Sequence, residues 1–252
     1  MILFHYNLSP YAEKIRLLMG YTNSAWQSVL VPPMPPRKGL DILAGGYRRI
    51  PVAQQGADIF CDTRIITAEL AQQVGNSDLS VHACNPDVAE FAERIENENF
   101  MPAVRAVPPG PMLKAVLKNH NVITAFKLVR DRAKMGKAAT KRSPGAKRSA
   151  SILADYLLEL NDQLTQDYLF GAQPTIADFS AYHHVWFYHD LGGQPLPDNL
   201  PALSAWVARM HAFGHGRREE HTMRYALNEA KQNEPRELDL AWQSEKAGSK
   251  IT

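Results

Sequence analysis

The chain is poor in the features that would assign a class at once. It has two cysteines, Cys61 and Cys84, too few for a disulfide framework or a four-cysteine zinc site. No apolar run approaches the ~18 residues that a membrane span requires. The first residues pass from Met1-Ile2-Leu3-Phe4 straight into polar His5 and Asn7, without the basic and then apolar layout of a secretory leader. Neither sign of charge is in excess: 28 Lys and Arg stand against 26 Asp and Glu, a formal charge of +2, which argues against wholesale coating of nucleic acid. A hydrophobic fraction of 45% with 21% charged residues excludes a disordered or collagen-like chain. Among nine histidines, His211 and His215 are four apart, but Gly214 and Gly216 weaken the helix that would align them. No acidic third ligand sits at a recognisable spacing, so no metal is expected. These absences lead to a soluble cytoplasmic protein with no membrane or nucleic-acid partner.

What is present changes character near residue 75. Ile2 to Tyr6 is rich in strand formers, and Ser9-Pro10 opens a helix with proline at its first position, where the missing N–H is not needed. Tyr11, Ile15, Leu18 and Met19 share one face of that helix. A strand over 27–31 is stopped by the proline-rich stretch 32–36, which cannot be helical. Brief strands over 51–54 and 58–61 flank a hairpin-sized connection containing Gly56, and Asp62-Thr63 then caps a helix with inner face Ile66, Leu70 and Val74. Residues 76–86 read as a polar linker. From 87 to 216 the periodicity is helical throughout, with one long helix expected over 112–139 and others over 151–166, 175–188 and 202–213. Residues 217–252 form a charged C-terminal extension, with a helix expected over 222–232. The organisation is an α/β unit over 1–75, the linker, an all-helical unit and the extension.

Three motifs in this order resemble the cytosolic glutathione transferase family over roughly residues 1 to 215. That likeness implies an α/β thioredoxin-like N-terminal domain, an all-α helical bundle after it, a homodimer, and glutathione as co-substrate. The first motif is Ser9-Pro10-Tyr11-Ala12, at the turn where redox relatives carry Cys-Pro-Tyr-Cys. A helix N-terminus favours an anion such as a thiolate, so Ser9 reads either as a plain N-cap or as the hydroxyl that hydrogen-bonds glutathione's sulfur. Tyr6, near the end of the first strand, is the rival for that role. The second motif is Arg49-Ile50-Pro51-Val52, where the resemblance implies a cis-proline, backbone pairing of Ile50 with the cysteinyl unit, and Arg49 reaching the glycyl carboxylate. The third is Asp62-Thr63, where Thr63 would hold the γ-glutamyl carboxylate at a helix N-terminus and Asp62 the amino group. A fourth signature is structural: Thr175 and Asp178 are spaced as a capping box.

The sequence also departs from the family pattern. Ser9 and Ala12 replace the redox cysteines, which excludes dithiol exchange at this turn. Cys61 reads as a small residue in a buried strand. The prolines at 32–36 and Gly45-Gly46 replace what is often a helix. Residues 127–148 hold nine lysines and arginines against one acid, Asp131, and read as a solvated helix end and loop, with capture of anionic substrates as the lesser option. Tyr182, Trp186, Phe187 and Trp206 are expected in the core; Phe100 and Met101 are candidates for the edge of an electrophile pocket. The leading expectation is a glutathione transferase that ionises glutathione for attack on a hydrophobic electrophile. The second is a catalytically silent glutathione-binding or protein-interaction member of the same fold.

Overall fold

The structure is a computed structural model and describes residues 1–138 and 144–237. Its centre is β1 (Ile2–His5), in which every residue is buried because both faces of the sheet are covered. Strands β2 (Ala25–Leu30), β3 (Val52–Gln55), β4 (Asp58–Cys61) and β5 (Arg217–Glu220) complete a five-stranded sheet in the order β4-β3-β1-β2-β5. β2 runs parallel to β1 and to β5; β3 is antiparallel to both β1 and β4. Helix α1 (Pro10–Tyr21) makes the crossover from β1 to β2, and α3 (Thr63–Val74) follows β4. The proline-rich loop leaves only a four-residue α2 (Leu40–Leu43) between β2 and β3. Helix α3 ends at Gly75, whose φ of 67° suits a residue without Cβ. Val74, expected on the inner face with Ile66 and Leu70, is exposed. Each i,i+4 step drifts by roughly 40° round a helix, and two such steps turn Val74 out of the core.

The linker carries a short 3₁₀ turn, Ser77–Leu79, and is anchored by the fully buried Leu79. The helical unit then runs through α4 (Pro86–Glu98), α5 (Phe100–Ala106), α6 (Pro109–Asn119), α7 (Val122–Ala138), α8 (Ala146–Gln163), α9 (Ile176–Trp186) and α10 (Pro201–Ala212). Pro102 is the third residue of α5, in the first turn where its absent N–H costs nothing. The single helix expected over 112–139 is two helices. His120 is extended (φ −142°, ψ 154°), and the Asn121 side chain accepts from Thr124 N at 2.8 Å, starting α7 afresh. Helix α8 begins earlier than its leucine periodicity indicated. Among the described residues no helix is long and apolar enough to cross a membrane.

One continuous core joins the two units. Ile15 and Leu18 of α1 and Ile66 and Leu70 of α3 belong to the same buried cluster as Ile95, Leu157, Phe179 and Trp206 of the helical unit. A buried ion pair between Lys14 and Glu96 crosses the same junction. The capping box at α9 forms as the spacing indicated, and Asp178 does more than cap. Its carboxylate accepts from Thr175 N (2.9 Å), Leu169 N (3.0 Å) and the buried Trp206 Nε1 (2.9 Å), tying α10 to the start of α9.

The start of the C-terminal extension returns to the first unit. Its Arg-Arg-Glu-Glu run is β5, paired with β2 from Ala25↔Arg217 to Ser28↔Glu220. Charged side chains suit an edge strand because they oppose pairing with further chains. Helix α11 (Met223–Gln232) then covers the sheet face that the shortened α2 leaves open, placing Ala226 against Ile2, Phe4, Val29 and Val52. Gln54 Nε2 donates to Ala226 O (2.8 Å), and Arg236 pairs with Asp58 and Glu69. Residues 139–143 of the basic segment and 238–252 of the extension lie outside the described residues.

Candidate active site

Strand register brings the three motifs together. Phe4 pairs with Val52, and Val52 with Cys61, so β1 ends, β3 begins and β4 ends at one edge of the sheet. Ser9, Ile50-Pro51 and Asp62-Thr63 emerge from that edge, although the chain separates them widely.

Ser9 is the N-cap of α1. Its Oγ accepts from Ala12 N at 3.2 Å, and its own N–H donates to Tyr6 O at 3.1 Å, closing the turn. Accepting that bond leaves the hydroxyl proton available for a second partner. Buried Arg16 braces the turn from behind, donating to Tyr6 O (3.4 Å) and Asn7 O (3.1 Å). Tyr6 lies just beyond β1, half-buried, and its hydroxyl accepts from Arg132 Nη2 of α7 at 3.3 Å. The Ile50–Pro51 peptide is cis, and Ile50 stands outside the ladder that begins at Val52.

Asp62 combines a cap with backbone strain. Its Oδ1 accepts from Arg64 N at 3.0 Å, while its φ of 87° and ψ of 136° place a non-glycine residue in a costly region. Strain of this kind, of order 1–3 kcal/mol, gathers where a binding surface must hold one shape. Thr63 is nearly buried at the first position of α3, beside the helix's positive end. Arg49, expected toward the glycyl carboxylate, lies 3.9 Å from Asp62. With its side chain 80% exposed, that pair contributes little to stability.

The basic segment was read as a solvated face, and the structure corrects that for Arg132. Besides Tyr6, Arg132 reaches Pro33 O at 3.3 Å, and the neighbouring Asp131 pairs with Arg48 at 2.5 Å. Helix α7 therefore crosses from the helical unit to the mouth of the site. The lone acid within a basic run was the one available sign of a specific partner. Arg37 was also missed: it is buried, and it donates to Pro32 O, Pro33 O and Arg48 O, pinning the proline-rich loop. Only the fold supplies the ring of carbonyls that makes a buried arginine acceptable there.

The apolar wall beside α1 is aromatic. Tyr11 lies 4.9 Å from Phe100 and 5.0 Å from His183 between ring centroids. Burial, assisted by the Glu96 charge, raises the Tyr11 pKa and keeps its hydroxyl neutral. Met101 points outward and is 40% exposed. Burial and the Asp62 charge push the Cys61 thiol up, which opposes the thiolate a nucleophile needs. Among the described residues no group of three or more His, Cys, Asp or Glu side chains is placed to hold a metal ion.

A family model described as the glutathione S-transferase N-terminal domain matches residues 3–78, and one described as the C-terminal domain matches 143–209. Among solved structures, the chain is similar to a GST-like protein from Pseudomonas syringae. The two are 30% identical with a TM-score of 0.71, over 94% of this chain and 76% of that one. The chain belongs to the glutathione S-transferase family. Gtt2 from Saccharomyces cerevisiae shares the fold at 16% identity and a TM-score of 0.57, covering 84% of this chain and 96% of that one. So does a glutathione S-transferase from Rhodospirillum rubrum F11, at 16% and 0.56, covering 84% and 87%. No curated protein matches the sequence. The two family models leave unmatched helices α4 to α7, including the one that supplies Arg132, and the returning β5 and α11.

Proposed function

We propose that this protein binds glutathione at the sheet edge and activates its thiol, through Ser9, for attack on a hydrophobic electrophile. The observation that carries the reading is the convergence of a helix N-terminus capped by Ser9, the free backbone of Ile50 and the strained Asp62-Thr63 turn at one end of the sheet. The tripeptide fits this donor set. Thr63 and the first N–H groups of α3 take the γ-glutamyl carboxylate, and Asp62 takes the amino group. Ile50 N–H and C=O pair with the cysteinyl backbone, and the sulfur comes to lie at the N-terminus of α1. Arg49 beside Asp62, and Arg132 over Tyr6, leave the mouth of the site cationic toward a ligand with two carboxylates. Membership of the family supports a homodimer.

Holding the thiolate needs modest energy. Lowering a thiol pKa by two units corresponds to about 2.7 kcal/mol, which one charge-assisted hydrogen bond and a helix terminus together supply. The electrophile would lie against the aromatic wall of Tyr11 and Phe100. Calorimetry with glutathione and turnover assays on a panel of electrophiles test the proposal. Binding with conjugation is the expected result. Binding without turnover of any electrophile would favour a silent glutathione-binding member, and no binding would overturn both readings.

A further inference from the structure

Leu113 and Leu117 of α6 and Val122, Ile123, Phe126 and Val129 of α7 are large apolar side chains left in water. Phe126 is 69% exposed and Val122 72%. On α7, Val122, Phe126, Val129 and Ala133 fall within roughly 60° of one another round the axis, so they form a stripe along the helix. Lys127, Arg130, Lys134 and Lys137, all exposed, occupy the adjoining flank. Asp131 projects from the opposite face, where Arg48 takes it up. Helix α6 repeats the pattern on a smaller scale: Leu113 and Leu117 are each followed by a lysine, Lys114 and Lys118. Over 109–138 there are seven lysines and arginines, and Asp131 is the only acid.

Single exposed apolar residues are ordinary on a protein surface, but a contiguous row marks an interaction face. Charge decides what this face meets. A second copy would bring its own cations against this flank, which opposes self-association through the stripe. A nucleic-acid backbone would match the charge but leave the apolar row in water. A folded protein partner recognises shape, and lysine is depleted at such interfaces, whereas here cations border the apolar row along its length. An anionic lipid surface supplies both complements at once, acidic headgroups for the flank and acyl chains for the stripe.

We propose that the outer face of α6 and α7 docks on anionic membrane surfaces. Val122, Phe126 and Val129 enter the boundary between headgroups and acyl chains, while Lys127, Arg130, Lys134 and Lys137 meet the acidic headgroups. Helix α7 lies in the interface and does not span it. The expectation of no membrane partner rested on the lack of a spanning segment and a leader, and surface docking requires neither. The docking stands independently of the glutathione reading.

The test sediments the full chain with vesicles of phosphatidylcholine alone and of phosphatidylcholine mixed equally with phosphatidylserine. Partitioning onto the mixed vesicles should be about tenfold or more the stronger, and it should weaken as salt rises. Lys134→Gln combined with Lys137→Gln should reduce it about tenfold or more, at roughly fivefold per charge. Phe126→Ser should reduce it by a similar factor and leave the Tm unchanged, because the side chain it shortens is exposed. With mixed vesicles, the emission that Phe126→Trp adds should shift to the blue, which adsorption through charge alone would not produce. Without lipid, Phe126→Ser should keep the parent's mass in sedimentation equilibrium. The proposal is overturned if the mixed vesicles do not bind, if phosphatidylcholine binds equally well, if either weakening variant keeps full partitioning, or if the emission does not shift. A change of mass would give the stripe to a second copy. Tighter binding of a soluble amphipathic peptide of glutamate and leucine than of the vesicles would give it to a protein partner, and either result also overturns the proposal.

Discussion

Replacing Ser9 with alanine separates its two roles, because the structure assigns them to different hydrogen bonds. The Oγ accepts from Ala12 N at 3.2 Å as the cap of α1, and losing that bond costs about 1 kcal/mol, a fall of roughly 2–4 °C in Tm for a chain of this size. The hydroxyl proton is free to donate to the ligand's sulfur. A hydrogen bond to a charged group is worth about 1.5–3 kcal/mol, so Ser9→Ala should raise the pKa of bound glutathione by about 1–2 units and lower kcat by roughly 10- to 100-fold. Affinity for glutathione should stay nearly constant, since Ile50, Asp62 and Thr63 hold the tripeptide elsewhere. Titrating the ultraviolet absorbance of the thiolate in the complex reads the pKa directly, and initial rates with an aryl halide read kcat. If the variant loses Tm but keeps both pKa and kcat, Ser9 is a cap alone. Tyr6→Phe, run beside it, should leave the thiol pKa where it is; a rise there instead would transfer the role to Tyr6.

Three further outcomes follow from the packing. Asp178→Ala removes the acceptor for Leu169 N, Thr175 N and Trp206 Nε1, and urea unfolding should show a loss of about 3–5 kcal/mol; a loss below about 1 kcal/mol would contradict this account of the box. Ala226→Asp places a carboxylate against Phe4 and Val29 and should cost about 3 kcal/mol or more, whereas a tail lying free of the sheet would tolerate it. Stability should also fall in mild acid. Burial, aided by neighbouring Arg16, Arg218 and His215, holds His5 at a pKa of about 2, and burial with the Lys14 charge holds His183 at about 3, both down from 6.5. Both stay neutral in the fold while the unfolded chain takes up protons, so their contribution is complete above pH 6.5 and diminishes as pH falls toward those values. At pH 5 each has lost about 2 kcal/mol. Denaturant midpoints that do not change between pH 7 and 5 would sink this assignment.

The motifs legible in the sequence were those whose physics is local. Ser9-Pro10, Asp62-Thr63 and the Thr175–Asp178 box are start signals whose side chains cap their own helices, so the residues that announce them also perform them. The division into an α/β unit and a helical unit was legible for the same reason, since strand and helix periodicities arise within each segment. Contacts between distant segments were not legible. Arg132 reads as one cation in a run of nine lysines and arginines, and only the approach of α7 to β1 turns it toward Tyr6. The proximity of Arg49 to Asp62, 3.9 Å apart, likewise comes from the approach of two segments that no local pattern joins.

The amino-acid order alone determined where α1, α3 and α9 start and that no thiol stands at position 9 or 12, and the likeness to a family marked three short motifs as candidates for one ligand. The helix starts follow from interactions within a few residues. The tertiary structure decided that those motifs share one edge of the sheet, because strand register sets that. It also decided that β5 and α11, at the start of the charged C-terminal segment, pack on the first unit. Arg-Arg-Glu-Glu reads as solvated until β2 offers it an open edge, and α11 reads as peripheral until the shortened α2 leaves an apolar sheet face to cover. Whether a polar or amphipathic segment stays in water is determined by the surface another part of the chain leaves exposed, and no local pattern carries that information.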